Sequence, residues 1–347
     1  MDFQMSVISK KRSFRSLALA ADVGGTKTLI GIFSKSQTKT EMVALFGFAS
    51  RDIRDFSDPV NFVLGFVKKN YNFVIRKACI AVAAVISEKT DFAKTTNLKW
   101  DVSAKELRKK TSLKKIILVN DFEAMGFFIN TASENDIVEI KNGKKIGGAN
   151  MAVIGAGTGL GKCSLIYSTL KKIYVPLPSE AGHTDFAPQD SLEFELLLFI
   201  KRKTGTKAIS YEHILSGKGI ESIFLFLLKK NRKSNSKIKE ILKSGSRTEL
   251  ISKYRKSDKT CKKTFEIFSK VYARFAKNCA LDLLAYGGVY ITAGIAQKNK
   301  DIFNSVFIKE FQNTYNLEFV LRQIPVYLIT NKNAGLIGAG FMALREK

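Results

Sequence analysis

The chain has 347 residues, of which 45% are hydrophobic and 25% charged, and this composition is typical of a soluble globular protein. No stretch approaches the ~18 apolar residues that a membrane span needs, so we expect no membrane association. The four cysteines have no Cys-x-x-Cys spacing, which argues against a zinc knuckle or a redox pair and fits a cytoplasmic location. A single core rarely exceeds roughly 250–300 residues, so the length predicts two lobes.

The net charge of +26 raises the question of nucleic-acid binding. Residues 229–263 carry fourteen Lys and Arg against three acidic residues, which accounts for +11 of the total. Tyr254 is the one aromatic residue in this segment, whereas base-stacking surfaces interleave aromatic with basic residues. We therefore favour a solvated basic surface and do not expect nucleic-acid binding, although composition alone leaves both interpretations open.

In the first part of the chain, strands alternate with helices, which predicts an α/β fold. Apolar runs predict strands at 17–23, 28–34, 78–86 and 116–119, and helical spacing predicts helices at 60–69 and 103–110.

A similar order follows in the second part of the chain. Strands are predicted at 151–154, 163–167, 289–292 and 325–329, and a helix with a capping-box-like start is predicted to follow Asp190. Apolar spacing predicts a core-facing helix at 265–284 that Gly287-Gly288 ends, and a last helix at 335–345. Two strand–turn–strand units indicate a duplicated α/β lobe.

Two glycine-threonine turns each lie between apolar strands. The first is Asp22-Val23-Gly24-Gly25-Thr26-Lys27 and the second is Gly155-Ala156-Gly157-Thr158-Gly159. Neither a Walker A loop nor a dinucleotide fingerprint fits, because Ala156 and Cys163 fail the first pattern and Leu160 fails the second. Glycine turns let backbone N–H groups converge on phosphate, although either turn alone could be a simple hairpin.

Carboxylates accompany these turns. Asp121 follows an apolar strand, where it could accept the proton of an attacking hydroxyl during phosphoryl transfer. The alternative for Asp121 is an ordinary N-cap of the helix that follows. Asp22 precedes the first turn and could hold Mg²⁺ through water, since Mg²⁺ prefers oxygen ligands and retains water molecules.

A polar loop surrounds one of the two histidines. Glu180 and His183 form a Glu-x-x-His unit in residues 178–188, and the two side chains could clamp neighbouring hydroxyl groups. The alternative is an ordinary surface or core histidine. Glu212, beside the second histidine, is a weaker candidate by itself.

The order of these segments resembles the bacterial glucokinase family of the hexokinase/actin-like ATPase superfamily. The resemblance runs from about residue 17 to residue 343. Its further motifs are Thr96-Asn97-Leu98-Lys99-Trp100, Val119-Asn120-Asp121-Phe122, Pro178-Ser-Glu-Ala-Gly-His183-Thr-Asp-Phe-Ala-Pro188, Glu212-His-Ile-Leu-Ser-Gly217, Gly287-Gly-Val-Tyr-Ile-Thr-Ala-Gly294-Ile and Asn333-Ala-Gly335-Leu-Ile-Gly338. Each motif alone is weak evidence for this family, whereas the whole set in this order is specific to it.

The resemblance implies a role for each candidate residue. Asp121 would be the base that deprotonates the sugar 6-hydroxyl, in an ATP- and Mg²⁺-dependent glucokinase. Sugar hydroxyls would be bound by Asn97, Asn120, Asp121, Glu180, His183 and Glu212. The nucleotide would be bound by Asp22, Gly24, Gly25, Thr26, Lys27, Gly157, Thr158, Gly159 and Gly294.

The resemblance also implies two RNase H-like lobes with a ligand cleft between them. We expect residues 1–130 with 330–347 to form a small lobe and residues 131–329 to form a large one, in a homodimer. The chain departs from the family at Ala181, where Gly is usual, in lacking a proline near Val85, and at Lys27, which is more typical of the ROK group. That group's cysteine-rich zinc motif is missing here. A broader hexose or amino-sugar kinase and a sugar-responsive nucleic-acid-binding regulator remain as alternatives.

Overall fold

The computed structural model describes residues 3–9, 13–36, 39–84, 86, 91–95, 98–231 and 235–345. The chain divides into two compact units. Unit 1 contains Met1–Asn135, Tyr167–Pro178 and Asn331–Lys347, and unit 2 contains Asp136–Ile166 and Ser179–Thr330. None of the described helices combines the length and the apolar character that crossing a membrane requires.

Unit 1 is built on a sheet with the strand order β1-β4-β3-β2-β5-β8 in the described residues. Its strands are β1 (Phe3–Val7), β2 (Leu17–Val23), β3 (Lys27–Ser36), β4 (Lys39–Ala49), β5 (Lys77–Val82) and β8 (Lys115–Asn120), with β6 (Phe92–Ala93) and β7 (Val102–Ser103) forming a separate pair. Its helices are α1 (Ser57–Tyr71), α2 (Ala104–Lys110), α3 (Asp121–Phe128) and the last helix of the chain, α12 (Ala334–Arg345). A Cβ on Gly338 would lie 1.8 Å from the Ala124 carbonyl, so α12 and α3 pack backbone to backbone.

The second sheet, drawn mainly from unit 2, has the order β12-β11-β10-β13-β14-β9. Its strands are β9 (Ile137–Lys141), β10 (Met151–Ala156), β11 (Leu160–Ser168), β12 (Ile173–Ser179), β13 (Gly288–Thr292) and β14 (Val326–Ile329). The accompanying helices are α4 (Ser191–Thr204), α5 (Gly217–Asn231), α6 (Ser236–Lys243), α7 (Arg247–Tyr254), α8 (Lys259–Leu283), α9 (Gly294–Lys298), α10 (Ser305–Gln312) and α11 (Glu318–Gln323).

The two sheets pair their central strands in the same way, whereas β1 and β9 are added at opposite edges. In the first, β2 pairs antiparallel with β3 and parallel with β5, and β5 pairs parallel with β8. In the second, β10 pairs antiparallel with β11 and parallel with β13, and β13 pairs parallel with β14. The prediction of an α/β fold with two related lobes is therefore confirmed at the level of the sheets.

Two predicted elements differ most from the observed ones. The strand predicted at 78–86 ends at Val82. The helix predicted at 265–284 begins at Lys259 and ends at Leu283, before the glycine pair that was expected to end it. Leu284 adopts the left-handed conformation (φ 45°) and the N–H of buried Ala285 donates to the Ala280 carbonyl, which is a Schellman ending made without glycine.

The basic segment 229–263 is mostly helical in its described part, which includes α6, α7 and the start of α8. Its aromatic residue, Tyr254, donates its hydroxyl to Glu240. The ammonium groups of Lys237 and Lys253 lie 5.6 and 5.2 Å from the centre of the Tyr254 ring. The ring is thus already engaged by lysines of the same segment.

Candidate active site

The first glycine turn connects β2 to β3 at the carboxyl end of β2. The Gly24 N–H donates to the Lys27 carbonyl at 3.1 Å and closes the turn, and Gly25, Thr26 and Lys27 are exposed. The stem of Lys27 lies over Gly47, where a Cβ would come within 2.8 Å of Lys27 Cε. The turn therefore presents two glycines, a hydroxyl and an ammonium group on an exposed edge, a combination suited to phosphate.

Asn120 and Asp121 lie at the same edge of the first sheet. The strand registers place Val23 beside Val82 and Val82 beside Asn120, so the carboxyl ends of β2, β5 and β8 are level. Ligand-binding groups of open α/β sheets collect at this edge. The sheet thus places the first glycine turn and Asp121 two strands apart, about 10 Å from each other at the usual strand spacing.

The cap of α3 is Asn120, not Asp121. Asn120 Oδ1 accepts from the Phe122 N–H at 2.9 Å, and Glu123 Oε2 accepts from the Asn120 N–H at 2.9 Å, which completes a capping box. Burial raises the pKa of Glu123, and the hydrogen bond from Asn120 opposes that shift. Asp121 is the first helical residue. Its Oδ1 also accepts from the Phe122 N–H, at 3.0 Å, but the capping box is complete without it.

Asp22 is the polar member of β2 next to the turn. Its side chain is half-buried, and burial raises the pKa of this carboxyl to about 6. A Cβ on Gly335 would lie 3.4 Å from Asp22 Oδ2, so the carboxylate lies beside the first turn of α12. A cation or the positive end of a helix dipole stabilises the ionised form of such a group.

The second glycine turn, Gly157-Thr158-Gly159, connects β10 to β11. The Gly157 N–H donates to the Gly159 carbonyl at 2.8 Å, and Thr158 is exposed. At its base the Ala156 N–H donates to the buried Tyr272 hydroxyl of α8 at 3.1 Å. The Gly157 carbonyl accepts from the N–H of Gly217, the first residue of α5. Two helices therefore hold this turn from behind.

Glu180 and His183 lie on a 3-10 turn that packs against the base of the second glycine turn. A Cβ on Gly182 would lie 2.0 Å from the Leu160 carbonyl, so only glycine allows this approach. His183 Nε2 lies 3.8 Å from Glu180 Oε2, and the two side chains are 60% and 66% exposed. Both groups are therefore available to a polar ligand next to the turn.

Glu212 contacts the backbone N–H of Leu160, whereas Gly182 packs against the carbonyl of the same residue. Glu212 Oε2 accepts from the Leu160 N–H at 2.8 Å, and it would lie 2.4 Å from a Cβ on Gly159. Hydrogen bonds between residues 184–186 and 209–211 hold the Glu180 and Glu212 loops together. Within unit 2 the structure therefore brings Glu180, His183 and Glu212 together around the second glycine turn.

Gly294, the first residue of α9, lies at the edge that carries the second turn, because Thr292 pairs with Gly155. Its neighbour Ala293 has φ 72° and ψ 167°. This region is essentially restricted to glycine and costs of order 1–3 kcal/mol for other residues. A Cβ on Gly157 would lie 3.9 Å from Ala293 Cβ, so the strained residue directly adjoins the turn.

The strain at Ala293 leads to a stability prediction. Ala293→Gly should raise the free energy of unfolding by about 1 kcal/mol, because the relief of strain exceeds the entropy that glycine adds to the unfolded chain. Urea unfolding of the two proteins measures this difference. Ala296→Gly, in α9, is the matched control and should lower stability by about 1 kcal/mol, since its backbone is helical. A loss of stability in both variants would show that the backbone of Ala293 is not strained.

Asn97 and His213 do not join the groups described above. Asn97 lies outside the described residues. His213 has a structural role, since its Nδ1 accepts from the Ser210 N–H at 3.1 Å. Sequence patterns did not identify three residues that contact the two turns. Ser50 donates its hydroxyl to the Gly24 carbonyl, Tyr272 accepts from the Ala156 N–H, and Ala293 adjoins Gly157. Their signal is weak because each acts through a contact with residues distant in the sequence.

The chain is similar to glucokinases both in sequence and in structure. A glucokinase from Trichormus variabilis is 36% identical over 95% of this chain and 99% of its own length. A crystal structure of glucokinase from an Antarctic psychrotroph has a TM-score of 0.80 at 25% identity, covering 95% of this chain and 99% of that one. A ROK family glucokinase from Streptomyces griseus, in complex with glucose and AMPPNP, has a TM-score of 0.64 at 15% identity, over 95% and 100% of the two chains.

The duplicated sheet topology, with a glycine turn at the carboxyl edge of each sheet, places the chain in the class of sugar kinases to which these structures belong. The glucokinase family model matches residues 19–346. The chain therefore belongs to the glucokinase family.

Proposed function

We propose that the protein transfers the γ-phosphoryl group of ATP to the 6-hydroxyl of glucose, with Asp121 as general base. ATP-dependent phosphorylation of glucose is the activity of the family to which the chain belongs. In the proposed step, the 6-oxygen bonds to the γ-phosphorus and gives its proton to Asp121, while the bond to the β,γ-bridging oxygen breaks and ADP leaves.

The position of Asp121 is the observation that carries this proposal. The carboxylate lies at the carboxyl edge of the first sheet, level with the first glycine turn. The capping box of its helix consists of Asn120 and Glu123, so Asp121 is not the N-cap that the alternative interpretation required. A general base must have a proton-accepting group, such as a carboxylate, within hydrogen-bond reach of the proton that it removes.

The sugar ligands in unit 2 are proposed to be Glu180, His183 and Glu212. Carboxylates accept from sugar hydroxyls, and an imidazole can donate or accept. One oxygen of Glu212 already holds the Leu160 N–H, so sugar binding at Glu212 would be linked to the second glycine turn. Asn120 is proposed to bind a hydroxyl from unit 1, and its amide Nδ2 currently donates to the Ala84 carbonyl at 3.2 Å.

The donor phosphates are proposed to bind the two glycine turns, with Lys27 supplying charge and Gly294 lying beside the adenosine. The described residues contain no cluster of three or more acidic, His or Cys side chains that could enclose a metal. A single half-buried carboxylate, Asp22, fits Mg²⁺, which usually binds one or two carboxylates together with substrate phosphates and water. When bound, Mg²⁺ would neutralise charge on the phosphates.

Sugar preference tests this function against its alternative. We expect kcat/KM for glucose to exceed that for mannose, fructose and glucosamine by at least about tenfold, since one mispaired polar group costs ~1–3 kcal/mol. A coupled assay for ADP with each sugar measures the ratio. Comparable values for several sugars would instead establish the broader hexose or amino-sugar kinase.

We also propose a cytoplasmic homodimer. All four cysteines are buried, and none forms a disulfide within the described residues, which suits a reducing compartment. Light scattering after size exclusion tests the dimer, and a monomeric mass at micromolar concentration would exclude it.

A further inference from the structure

A buried serine supports the first glycine turn. Ser50 begins the 3-10 segment Ser50–Asp52 directly after β4 and has no exposed surface. Its hydroxyl donates to the Gly24 carbonyl at 2.7 Å, and its N–H donates to the Thr26 carbonyl at 3.0 Å. One residue therefore holds two carbonyl groups of the turn.

The hydroxyl proton of Ser50 has a defined acceptor. A carbonyl only accepts, so the bond to Gly24 uses the single proton of the Ser50 hydroxyl. The Thr28 hydroxyl, 2.9 Å away and equally buried, must therefore donate to Ser50 Oγ. Buried polar groups that lose a partner are costly, so this arrangement fixes the turn in one conformation.

Anchoring these carbonyls also orients N–H groups. In a planar trans peptide the C=O and the following N–H point in opposite directions. Because the Gly24 carbonyl points at Ser50, the Gly25 N–H points away from the buried hydroxyl. The Thr26 carbonyl directs the Lys27 N–H away from Ser50 in the same way.

A tryptophan engages the remaining backbone group of Ser50. Trp100 Nε1 donates to the Ser50 carbonyl at 3.3 Å, and its ring stacks on Phe56 with centres 5.4 Å apart. Trp100 is the single tryptophan of the chain, so its fluorescence reports on the surroundings of Ser50. The turn, Ser50 and Trp100 therefore form one hydrogen-bonded network within unit 1.

We infer that Ser50 is a positioning residue that holds the first glycine turn in the conformation that binds the donor's phosphates. The inference rests on the proposed function for the identity of the ligand. It concerns Ser50 acting through Gly24 and Thr26, and it does not require Ser50 to touch the nucleotide.

The test compares Ser50→Ala with Thr28→Val. Ser50→Ala releases the Gly24 carbonyl and should weaken AMPPNP binding about tenfold, the equivalent of one lost hydrogen bond. Thr28→Val removes a buried hydroxyl from the same network but leaves the bond from Ser50 to Gly24 in place. It should lower Tm while keeping the AMPPNP Kd within about twofold of wild type. Calorimetry and Trp100 emission both measure binding.

A KM comparison separates positioning from general destabilisation. In Ser50→Ala the KM for ATP should rise about tenfold and the KM for glucose should change less than about twofold. Folded Ser50→Ala that binds AMPPNP as tightly as wild type would overturn the inference. So would Thr28→Val that weakens binding equally. If Ser50→Ala does not fold, Ser50→Cys, with its weaker donor, takes its place under the same criteria.

Binding of AMPPNP needs no turnover, so this result is separate from that of the activity assay. A wild type that binds AMPPNP but does not phosphorylate glucose would overturn the proposed function and leave the role of Ser50 to be decided by the variants. A wild type that does not bind AMPPNP would overturn the inference about Ser50 as well.

Discussion

Asp121→Asn should lower kcat for glucose phosphorylation by about 10²–10⁴-fold, the range that a positioned general base contributes. Asparagine keeps the size of the side chain and can accept from the Phe122 N–H as Asp121 Oδ1 does at 3.0 Å. The capping box of α3 is untouched because it uses Asn120 and Glu123. We therefore expect the free energy of unfolding to stay within roughly 1 kcal/mol of wild type.

The matched control for Asp121→Asn is Glu123→Gln, which neutralises the neighbouring carboxylate of the same helix. The amide oxygen introduced by this substitution would still accept from the Asn120 N–H, so kcat should stay within about threefold of wild type. Initial rates and thermal unfolding are measured on both variants. Wild-type kcat in Asp121→Asn would show that Asp121 is not the base. Equal losses in both variants would point to the integrity of α3 instead.

Gly182→Ala should raise the KM for glucose by at least about tenfold, with a stability loss of about 1–3 kcal/mol from overpacking. The added Cβ would lie 2.0 Å from the Leu160 carbonyl, whereas real Cβ contacts essentially never fall below 3.0 Å. The 3-10 turn that carries Glu180 and His183 must therefore shift by about 1 Å, and displacements of that size can cost up to about 100-fold in rate.

Gly245→Ala is the matched control for crowding at Gly182, because a Cβ there meets no atom within 4 Å. Its KM for glucose should equal that of wild type. Steady-state kinetics with glucose and ATP varied in turn give the two KM values. A Gly182→Ala enzyme with unchanged KM for glucose would show that the packing against Leu160 does not position the sugar loop.

The local features of the site could be predicted from the sequence. Glycine turns between apolar runs mark backbone that side chains would block, and both turns lie where the pattern predicted. An apolar strand before Asp121 placed that carboxylate at a sheet edge. The sequence also contained the signal that Asp121 is not the N-cap of α3. Asn120 and Glu123 have the spacing of a capping box, which identifies Asn120 as the N-cap.

Contacts between distant segments could not be predicted in this way. The approach of Gly182 to Leu160 and the bond from Ser50 to Gly24 depend on how loops pack, and no periodicity encodes them. The end of α8 could not be predicted from local sequence either. Local propensity favoured a stop at Gly287-Gly288, but burial of Ala285 stabilises a left-handed Leu284 three residues earlier.

Product analysis after incubation of the protein with ATP, Mg²⁺ and glucose tests the proposed phosphoryl transfer directly. NMR of phosphorus and carbon identifies both the phosphorylated sugar and the position of the phosphate. We expect glucose 6-phosphate and ADP in equal amounts. Inorganic phosphate with ADP but without sugar phosphate, or a phosphate on another hydroxyl, would contradict it.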